Sequence, residues 1–125
     1  AMSNMNQAIE FFSQLKALGC YIALDDFGSG LSSFGYLKQL PVDIVKIDGI
    51  FVRDMDTNDM DHLMVRSIND LARQMGKQTV AEFVENAQII EQLMELGVDY
   101  AQGYVIGKPK PLAELVSELT PQQNA

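Results

Sequence analysis

Four short apolar runs in this sequence end in polar or charged side chains whose types suit metal-assisted chemistry on a phosphate. The runs span Tyr21–Asp26, Val42–Asp48, Thr79–Glu85 and Tyr100–Tyr104. They carry carboxylates, an amine and an amide, groups that cost free energy when they are buried without partners. In parallel α/β sheets and barrels, ligands bind at the carboxyl ends of the strands. The sequence therefore predicts a metal and phosphate site at that edge.

Alternation along the strands predicts that four of these side chains share one face. Successive side chains of a strand point to opposite faces. This parity assigns one inside face to Asp25, Lys46, Glu82 and Gln102. It also places Val84 beside Glu82 and leaves Asp26 at the exit of its strand. Agreement across four strands is more specific than any one residue.

Each of these groups has a simpler alternative. Asp25 and Asp26 repel each other unless a cation lies between them, but they could instead form a solvated turn. Lys46 could steer a phosphate or the attacking water, or form a buried ion pair with Asp48 or Glu82.

The residues next to these groups are less informative. Gly28-Ser29-Gly30 could offer backbone amides to a phosphate, or could be a plain turn from a strand to a helix. Glu85 follows its strand and could belong either to the site or to the start of a helix.

The hydrophobic pattern predicts a leading helix over 1–19, four strand–helix units over 20–120 and a frayed tail over 121–125. The strands are predicted at 21–26, up to Ile47 or Asp48, 78–84 and 99–104, and Pro111 is predicted in the first turn of the last helix. This alternation indicates an α/β fold with parallel strands. A closed eight-unit barrel needs ~250 residues, so four units predict half of a TIM-like (β/α) barrel. A small doubly wound domain is the alternative.

Composition limits the cofactors and partners. The chain of 125 residues has one cysteine, one histidine and a net charge of −8. An internal disulfide, a zinc cluster of thiolates and a histidine-rich centre are excluded, so a bound metal must be a hard cation held by oxygens, such as Mg²⁺, Mn²⁺ or Ca²⁺. The acidic balance disfavours nucleic-acid polymers and membrane surfaces. No apolar run reaches the ~20 residues of a membrane span, and the predicted location is the cytoplasm.

Read together, four segments resemble the EAL domain, a family of bacterial phosphodiesterases that hydrolyse cyclic di-GMP. The segments are Asp25–Gly30, Lys46–Asp48, Ala81–Glu85 and Gln102–Tyr104. The flanking stretches 31–37 and 107–111 also fit, so the resemblance covers nearly the whole chain. Ser29 and Phe83 stand where threonine and glycine are common in the family.

The resemblance implies a (β/α)-barrel enzyme that opens cyclic di-GMP to linear pGpG with two Mg²⁺ or Mn²⁺ ions. In that enzyme Asp25 would bridge the ions, Asp26 and Glu82 would hold the second, and Lys46 would orient water or phosphate. Gln102 would support the site, and Glu85 would organise it or touch the ligand. The implied catalytic residues are Lys46, Glu82 and Asp25, the metal ligands Asp25, Asp26 and Glu82, and the ligand-binding residues Gln102, Glu85, Asp48, Gly28 and Ser29.

The sequence departs from the family in lacking its Glu-Ala-Leu segment and the Asn and Glu of the following strands. We therefore expect a single partial EAL domain over 1–125, the C-terminal half, which is inactive alone in a cytoplasmic or membrane-bound signalling protein. Open strand edges predict a homodimer, formed by pairing of half-barrels. Two alternatives are a degenerate module that binds cyclic di-GMP or a partner protein, and a response-regulator-like domain. The latter is disfavoured because the sequence offers no separate phosphoacceptor aspartate.

Overall fold

A five-stranded sheet flanked by helices forms the fold. The computed structural model describes residues 2–28, 33–103 and 110–112, with all their side chains except those of 2–4, 26, 33, 34, 36 and 110. The helices are α1 (Met2–Ala17), α2 (Ser33–Gln39), α3 (Gly49–Val52), α4 (Asp59–Gln74) and α5 (Ala87–Leu96). The strands are β1 (Ala23–Phe27), β2 (Ile44–Ile47), β3 (Gln78–Ala81), β4 (Tyr100–Ala101) and β5 (Lys110–Pro111).

The strands lie in the order β1-β2-β3-β4-β5, and the first four are parallel. This arrangement confirms the predicted α/β fold. Only β5 runs antiparallel, against β4. Pro111 therefore lies in an edge strand and not in the first turn of a helix, a placement that suits proline because it has no N–H to donate to a ladder. Leu112, the next residue, is helical and buried. The other residues of the predicted last helix and the tail 121–125 lie outside the described residues.

The hydrophobic core lies between the helices and one face of the sheet. Val45 and Ile47 of β2 alternate toward it and are completely buried, as are Ala81 and Ala101 of the neighbouring strands. In α4, Val65, Ile68 and Ala72 recur at helical spacing and fill the facing layer, together with Ile89, Ile90 and Leu93 of α5. This core fixes which strand residues must point to the opposite, inner face.

Side-chain caps set the helix ends close to their predicted positions. Asn86 Oδ1 accepts a hydrogen bond from the N–H of Ile89 at 2.9 Å, and Gly97 ends the same helix with a φ of +84°. α3 was not predicted, because four residues are too few to show a hydrophobic period.

The two longest helices have 16 residues each, and no helix in the described part of the chain is long and apolar enough to cross a membrane.

A buried polar network ties the amino ends of two strands to the helices behind them. Thr79 and Asn69 are completely buried. The Thr79 hydroxyl donates to Asn69 Oδ1 at 2.7 Å, and the Thr79 N–H donates to Asp99 Oδ2 at 2.9 Å. Asn69 Nδ2 in turn donates to the carbonyl of Leu96 at 2.7 Å. Because these groups satisfy each other's hydrogen bonds, they hold β3 and β4 at their amino ends. The predicted site residues lie at the opposite, carboxyl ends of the strands.

Candidate functional site

Three charged side chains meet on the inner face of the sheet. Lys46 Nζ lies 4.0 Å from Asp25 Oδ1 and 3.9 Å from Glu82 Oε2. The residues come from three neighbouring segments, β1, β2 and the end of β3. The structure thus brings together three of the predicted site residues on the same face, as the alternation predicts.

A β-bulge at the end of β1 places the first of these carboxylates. Leu24 pairs with Val45 and Phe27 pairs with Ile47, so two residues of β1 stand opposite Lys46. The bulge turns Phe27 into the core, where it is completely buried, while Asp25 stays on the inner face. The predicted strand 21–26 is therefore displaced, since β1 starts at Ala23 and continues past Asp26 to Phe27. Asp26 lies in this bulge, and its side chain is outside the described set.

A second irregularity follows β3 and places Glu82. The predicted strand 78–84 is too long, because β3 ends at Ala81 and Phe83 has a φ of +58°. This left-handed residue reverses the alternation. Glu82 faces Lys46, but Val84 is buried in the core, so its predicted place on the inner face is wrong.

Gln102 follows β4 and lines the same region. Its N–H donates to the carbonyl of Ala81 at 2.8 Å, which sets it beside Glu82. Gln102 Oε1 is buried, and no donor among the described residues reaches it. It lines a cavity of about 140 Å³ with Glu82, Phe83 and Gly103. A buried acceptor without a donor is costly, so this oxygen suits a water, a cation or a ligand N–H in the cavity.

The inner face becomes apolar below the charged rim. A second cavity of about 240 Å³ lies there, and it is lined by Ala23, Ile44, Lys46, Val80 and Tyr100. Lys46 therefore reaches from an apolar floor to the carboxylates at the rim. This arrangement resembles a binding cleft with an apolar base and a few convergent polar groups.

Three of the remaining predicted ligand-binding residues, Asp48, Glu85 and Gly28, are described by the structure. The carboxylate of Asp48 accepts a hydrogen bond from the N–H of Ile50 at 3.1 Å and caps α3. Glu85 is exposed and immediately precedes the cap of α5. Gly28 has a φ of +106°. Its role as a ligand residue, like that of the other predicted site residues, stays a prediction, and Ser29 lies outside the described residues.

The donor set at the rim partly fits a hard divalent cation. Asp25, Glu82 and Gln102 offer carboxylate and amide oxygens, the ligands that Mg²⁺ and Mn²⁺ prefer. Within the described side chains, no group of three or more His, Cys, Asp or Glu residues is placed to hold a metal ion. Metal binding at this rim therefore stays a prediction.

The sequence pattern did not indicate that Phe83, the neighbour of Glu82, contacts Gly49 and Arg53. The Phe83 ring lies against Gly49 and within 5.9 Å of the Arg53 guanidinium, measured to the ring centroid. The sequence pattern shows Phe83 only as a departure from a common glycine. No periodicity of the sequence indicates that the ring of Phe83, beyond the end of β3, packs against α3.

Comparisons with known proteins place the chain in a family. A family model described as the EAL domain matches residues 1–109. The cyclic di-GMP phosphodiesterase PdeB of Shewanella oneidensis is 55% identical over 113 residues, which are 90% of this chain and 13% of PdeB. This chain therefore spans only a small part of that relative.

Two solved EAL domains share the fold. That of Mycobacterium smegmatis DcpA gives a TM-score of 0.78 at 36% identity, over 92% of this chain and 52% of the other. The FimX EAL domain of Pseudomonas aeruginosa, bound to c-di-GMP, gives 0.75 at 32% identity, over 88% of this chain and 45% of the other. EAL domains have the TIM-barrel fold, and the four parallel strands correspond to part of it. The chain belongs to the EAL domain family.

Proposed function

We propose that this chain supplies half of the active site of a phosphodiesterase that hydrolyses cyclic di-GMP to linear pGpG. The observation that carries the proposal is Lys46 standing within about 4 Å of both Asp25 and Glu82 on the inner face. The activity named for PdeB and the c-di-GMP bound to FimX support the choice of substrate.

The chemistry follows from the side chains at the rim. Asp25, Asp26 and Glu82 would hold Mg²⁺ or Mn²⁺, two ions in the complete domain, which supply Lewis-acid activation of water and phosphate. The ammonium of Lys46 is a compact positive charge that would orient the phosphate or the attacking water. Gln102 Oε1 would accept a hydrogen bond from that water, and the loop containing Gly28 and Ser29 would approach the phosphate.

We also propose that the chain alone does not catalyse the reaction. The described carboxylates make up a partial coordination shell, and the sequence has no Glu-Ala-Leu segment. The chain covers 52% of the DcpA EAL domain, which leaves room for the missing ligands in the other half. By this reasoning the isolated chain binds one cation weakly, and turnover requires the upstream half.

The test joins this chain to the upstream half of a related EAL domain and follows Mn²⁺-dependent conversion of cyclic di-GMP to pGpG by chromatography. Asp25→Asn and Glu82→Gln should each lower the rate by about a hundredfold or more, because each removes a charged metal ligand. Glu91→Gln, an equivalent change at an exposed position of α5, should leave the rate unchanged and serves as the control. Tight binding of cyclic di-GMP by the joined protein without turnover would instead favour a receptor.

We propose in addition that the isolated chain forms a homodimer. β1 is an edge of the sheet, and the inner face holds an apolar cavity of about 240 Å³. An edge strand, and apolar surface that no described residue covers, favour association, here the pairing of two half-barrels. Light scattering should give twice the monomer mass at micromolar concentration, and a stable monomer there contradicts the proposal.

A further inference from the structure

Phe83 adopts a conformation that its side chain disfavours. It is the only non-glycine residue with a positive φ in the described part of the chain, at +58°. A bulky L-residue rarely adopts this left-handed conformation, and such residues persist only when surrounding contacts hold them. The contacts of Phe83 are therefore informative.

The Phe83 ring occupies the space above Gly49, the first residue of α3. An ideal Cβ on Gly49 would lie 2.6 Å from both Cγ and Cε2 of Phe83, and nearer still to Cδ2. The φ of Gly49 is not positive, so its backbone conformation does not require glycine. A side chain is excluded at this position because the ring needs the room, and not because of the backbone conformation.

α3 holds the ring from a second position. The guanidinium carbon of Arg53 lies 5.9 Å from the ring centroid, within the range of a cation–π interaction. The N–H of Arg53 donates to the carbonyl of Gly49 at 2.9 Å, so both contacts belong to the same helical turn. The Phe83 ring, which is half exposed, thus contacts the segment that follows β2 at two positions.

The backbone on either side of Phe83 is bound to different neighbours. The N–H of Glu82 donates to Ile47 at 3.3 Å, whereas the N–H of Val84 donates to Gln102 at 3.1 Å. Phe83 is the residue at which the chain turns from one neighbour to the other. Phe83 therefore lies between Glu82, which faces Lys46, and Val84, which is buried in the core.

We propose that Phe83 is a positioning residue, whose ring, seated on Gly49 beside Arg53, keeps Glu82 facing Lys46 and the cation. The inference rests on the proposed function, in which Glu82 binds the cation. It gives α3 a part in shaping the site, since the space left by Gly49 determines where Glu82 points.

The test measures Mn²⁺ affinity of the 125-residue chain from the electron paramagnetic resonance signal of free Mn²⁺. Gly49→Ala should weaken binding about tenfold, a loss typical of removing support from a metal ligand. Phe83→Gly removes the ring and accepts the left-handed turn, so it should weaken binding only about threefold. The double variant should match Phe83→Gly within about twofold, because the new methyl then meets no ring.

Gly35→Ala is the matched control, because an ideal Cβ there meets nothing within 4 Å. It should leave the Mn²⁺ affinity unchanged. Thermal unfolding of every variant ensures that each affinity belongs to folded protein. If Gly49→Ala does not fold, Phe83→Gly and the double variant still decide the matter, since wild-type affinity in Phe83→Gly overturns the inference.

The outcomes separate this inference from the proposed function. Two results overturn the positioning role and leave the proposed function standing. One is equal Mn²⁺ affinity in wild type and Gly49→Ala. The other is a loss of Mn²⁺ affinity in Gly49→Ala that adding Phe83→Gly does not relieve. If the Mn²⁺ affinities follow the predicted pattern but the joined protein does not turn over cyclic di-GMP, the positioning role is supported and the phosphodiesterase activity is contradicted. A wild-type chain that binds no Mn²⁺ contradicts both.

Discussion

Two carboxylates of unequal exposure flank the amine at the centre of the site. The Glu82 side chain is 18% exposed and that of Asp25 is 60% exposed, while Lys46 is 22% exposed. Because water screens exposed charges more strongly, the Lys46–Glu82 contact carries more of the interaction than the Lys46–Asp25 contact. In the proposed function, Lys46 would compete with the cation for these carboxylates and would also contact the phosphate.

Replacing this amine should have opposite effects on binding and turnover. In Lys46→Met the carboxylates lose a neighbouring positive charge, so Mn²⁺ affinity should rise about fivefold, equivalent to about 1 kcal/mol. Hydrolysis of cyclic di-GMP by the joined protein should fall, because the group that orients phosphate or water is gone. Titration with Mn²⁺ and a rate measurement check the two effects, and weaker Mn²⁺ binding would show that Lys46 supports the metal ligands instead.

Single-residue reasoning found the charged cluster but not its distortions. Alternation alone placed Asp25, Lys46 and Glu82 on one face, since a period of two is fixed by strand geometry. It misplaced Val84 because the left-handed turn at Phe83 shifts the period by one. A sequence does not show where a strand ladder breaks, and both breaks here lie beside site carboxylates.

At the scale of elements, the turn after β1 depends on a glycine. The φ of Gly28 is +106°, and an ideal Cβ there would lie 2.7 Å from Cδ1 of Ile68 and 2.9 Å from Cε2 of Phe51. Gly28→Ala should therefore lower the free energy of unfolding by about 2 kcal/mol, through both backbone strain and overpacking. Urea denaturation measures this change.

Gly19 offers the matched comparison for that turn. Its φ is +92°, but nothing lies within 4 Å of an ideal Cβ. Gly19→Ala should cost only the backbone contribution, about 1 kcal/mol. Equal costs at the two positions would mean that the packing against Phe51 and Ile68 does not require glycine.

The segment before β2 is tied to α1 by a carboxylate. Asp43 accepts hydrogen bonds from Lys16 Nζ at 2.7 Å and from the N–H of Ile22 at 2.8 Å. The hydrogen bond from Lys16, followed by that from Ile22, lowers the pKa of Asp43 below its ordinary 3.8. A carboxyl group with a lowered pKa in the folded state stabilises the protein above its unfolded pKa, and this contribution is lost as the pH falls through the folded value.

Asp43→Asn keeps an acceptor for Ile22 and removes the charge that Lys16 contacts. At pH 7 it should lower the free energy of unfolding by about 1 kcal/mol. The difference from wild type should persist down to about pH 4 and shrink below it, as the wild-type carboxyl becomes protonated. Urea denaturation across this range checks the prediction, and a difference that grows toward low pH would contradict it.

The elements that sequence reasoning identified are those with strong local signals. Asn86 and Gly97 mark the two ends of α5 because a cap and a left-handed stop are local chemistry. β5 could not be predicted, because the pairing of Lys110 and Pro111 with β4 depends on contacts across the sheet. The same applies to α3, whose four residues are set by the Asp48 cap and the Phe83 ring.

At the scale of the whole molecule, the described strands form one sheet with the hydrophobic core on one face and the charged cluster on the other. The buried network around Thr79 fixes the strands at their amino ends, and the charged cluster lies at their carboxyl ends. Alternation of strands and helices predicted this polarity from the sequence. The chain covers about half the length of each of the two solved EAL domains, which agrees with the expectation that four units form part of a barrel.

Acidic side chains elsewhere on the described surface also attract cations by charge alone, without a built metal site. Asp56, Glu91 and Glu95 line a separate cavity of about 380 Å³ beside α5. With a net charge of −8, the chain could attract Mn²⁺ to this cavity without using the inner face. A measurement that locates the ion is therefore more direct than one that only detects binding.

Paramagnetic broadening by Mn²⁺ in the NMR spectrum of the 125-residue chain provides that location. We expect selective broadening of signals from Asp25, Lys46, Glu82 and Gln102, with those of Asn69 and Thr79 at the opposite end of the strands unaffected. Substitution of Glu82 by Gln should abolish the selectivity. Broadening centred on Glu91 and Glu95, with the signals of Lys46 and Glu82 unchanged, would contradict the assignment of the inner face as the cation site.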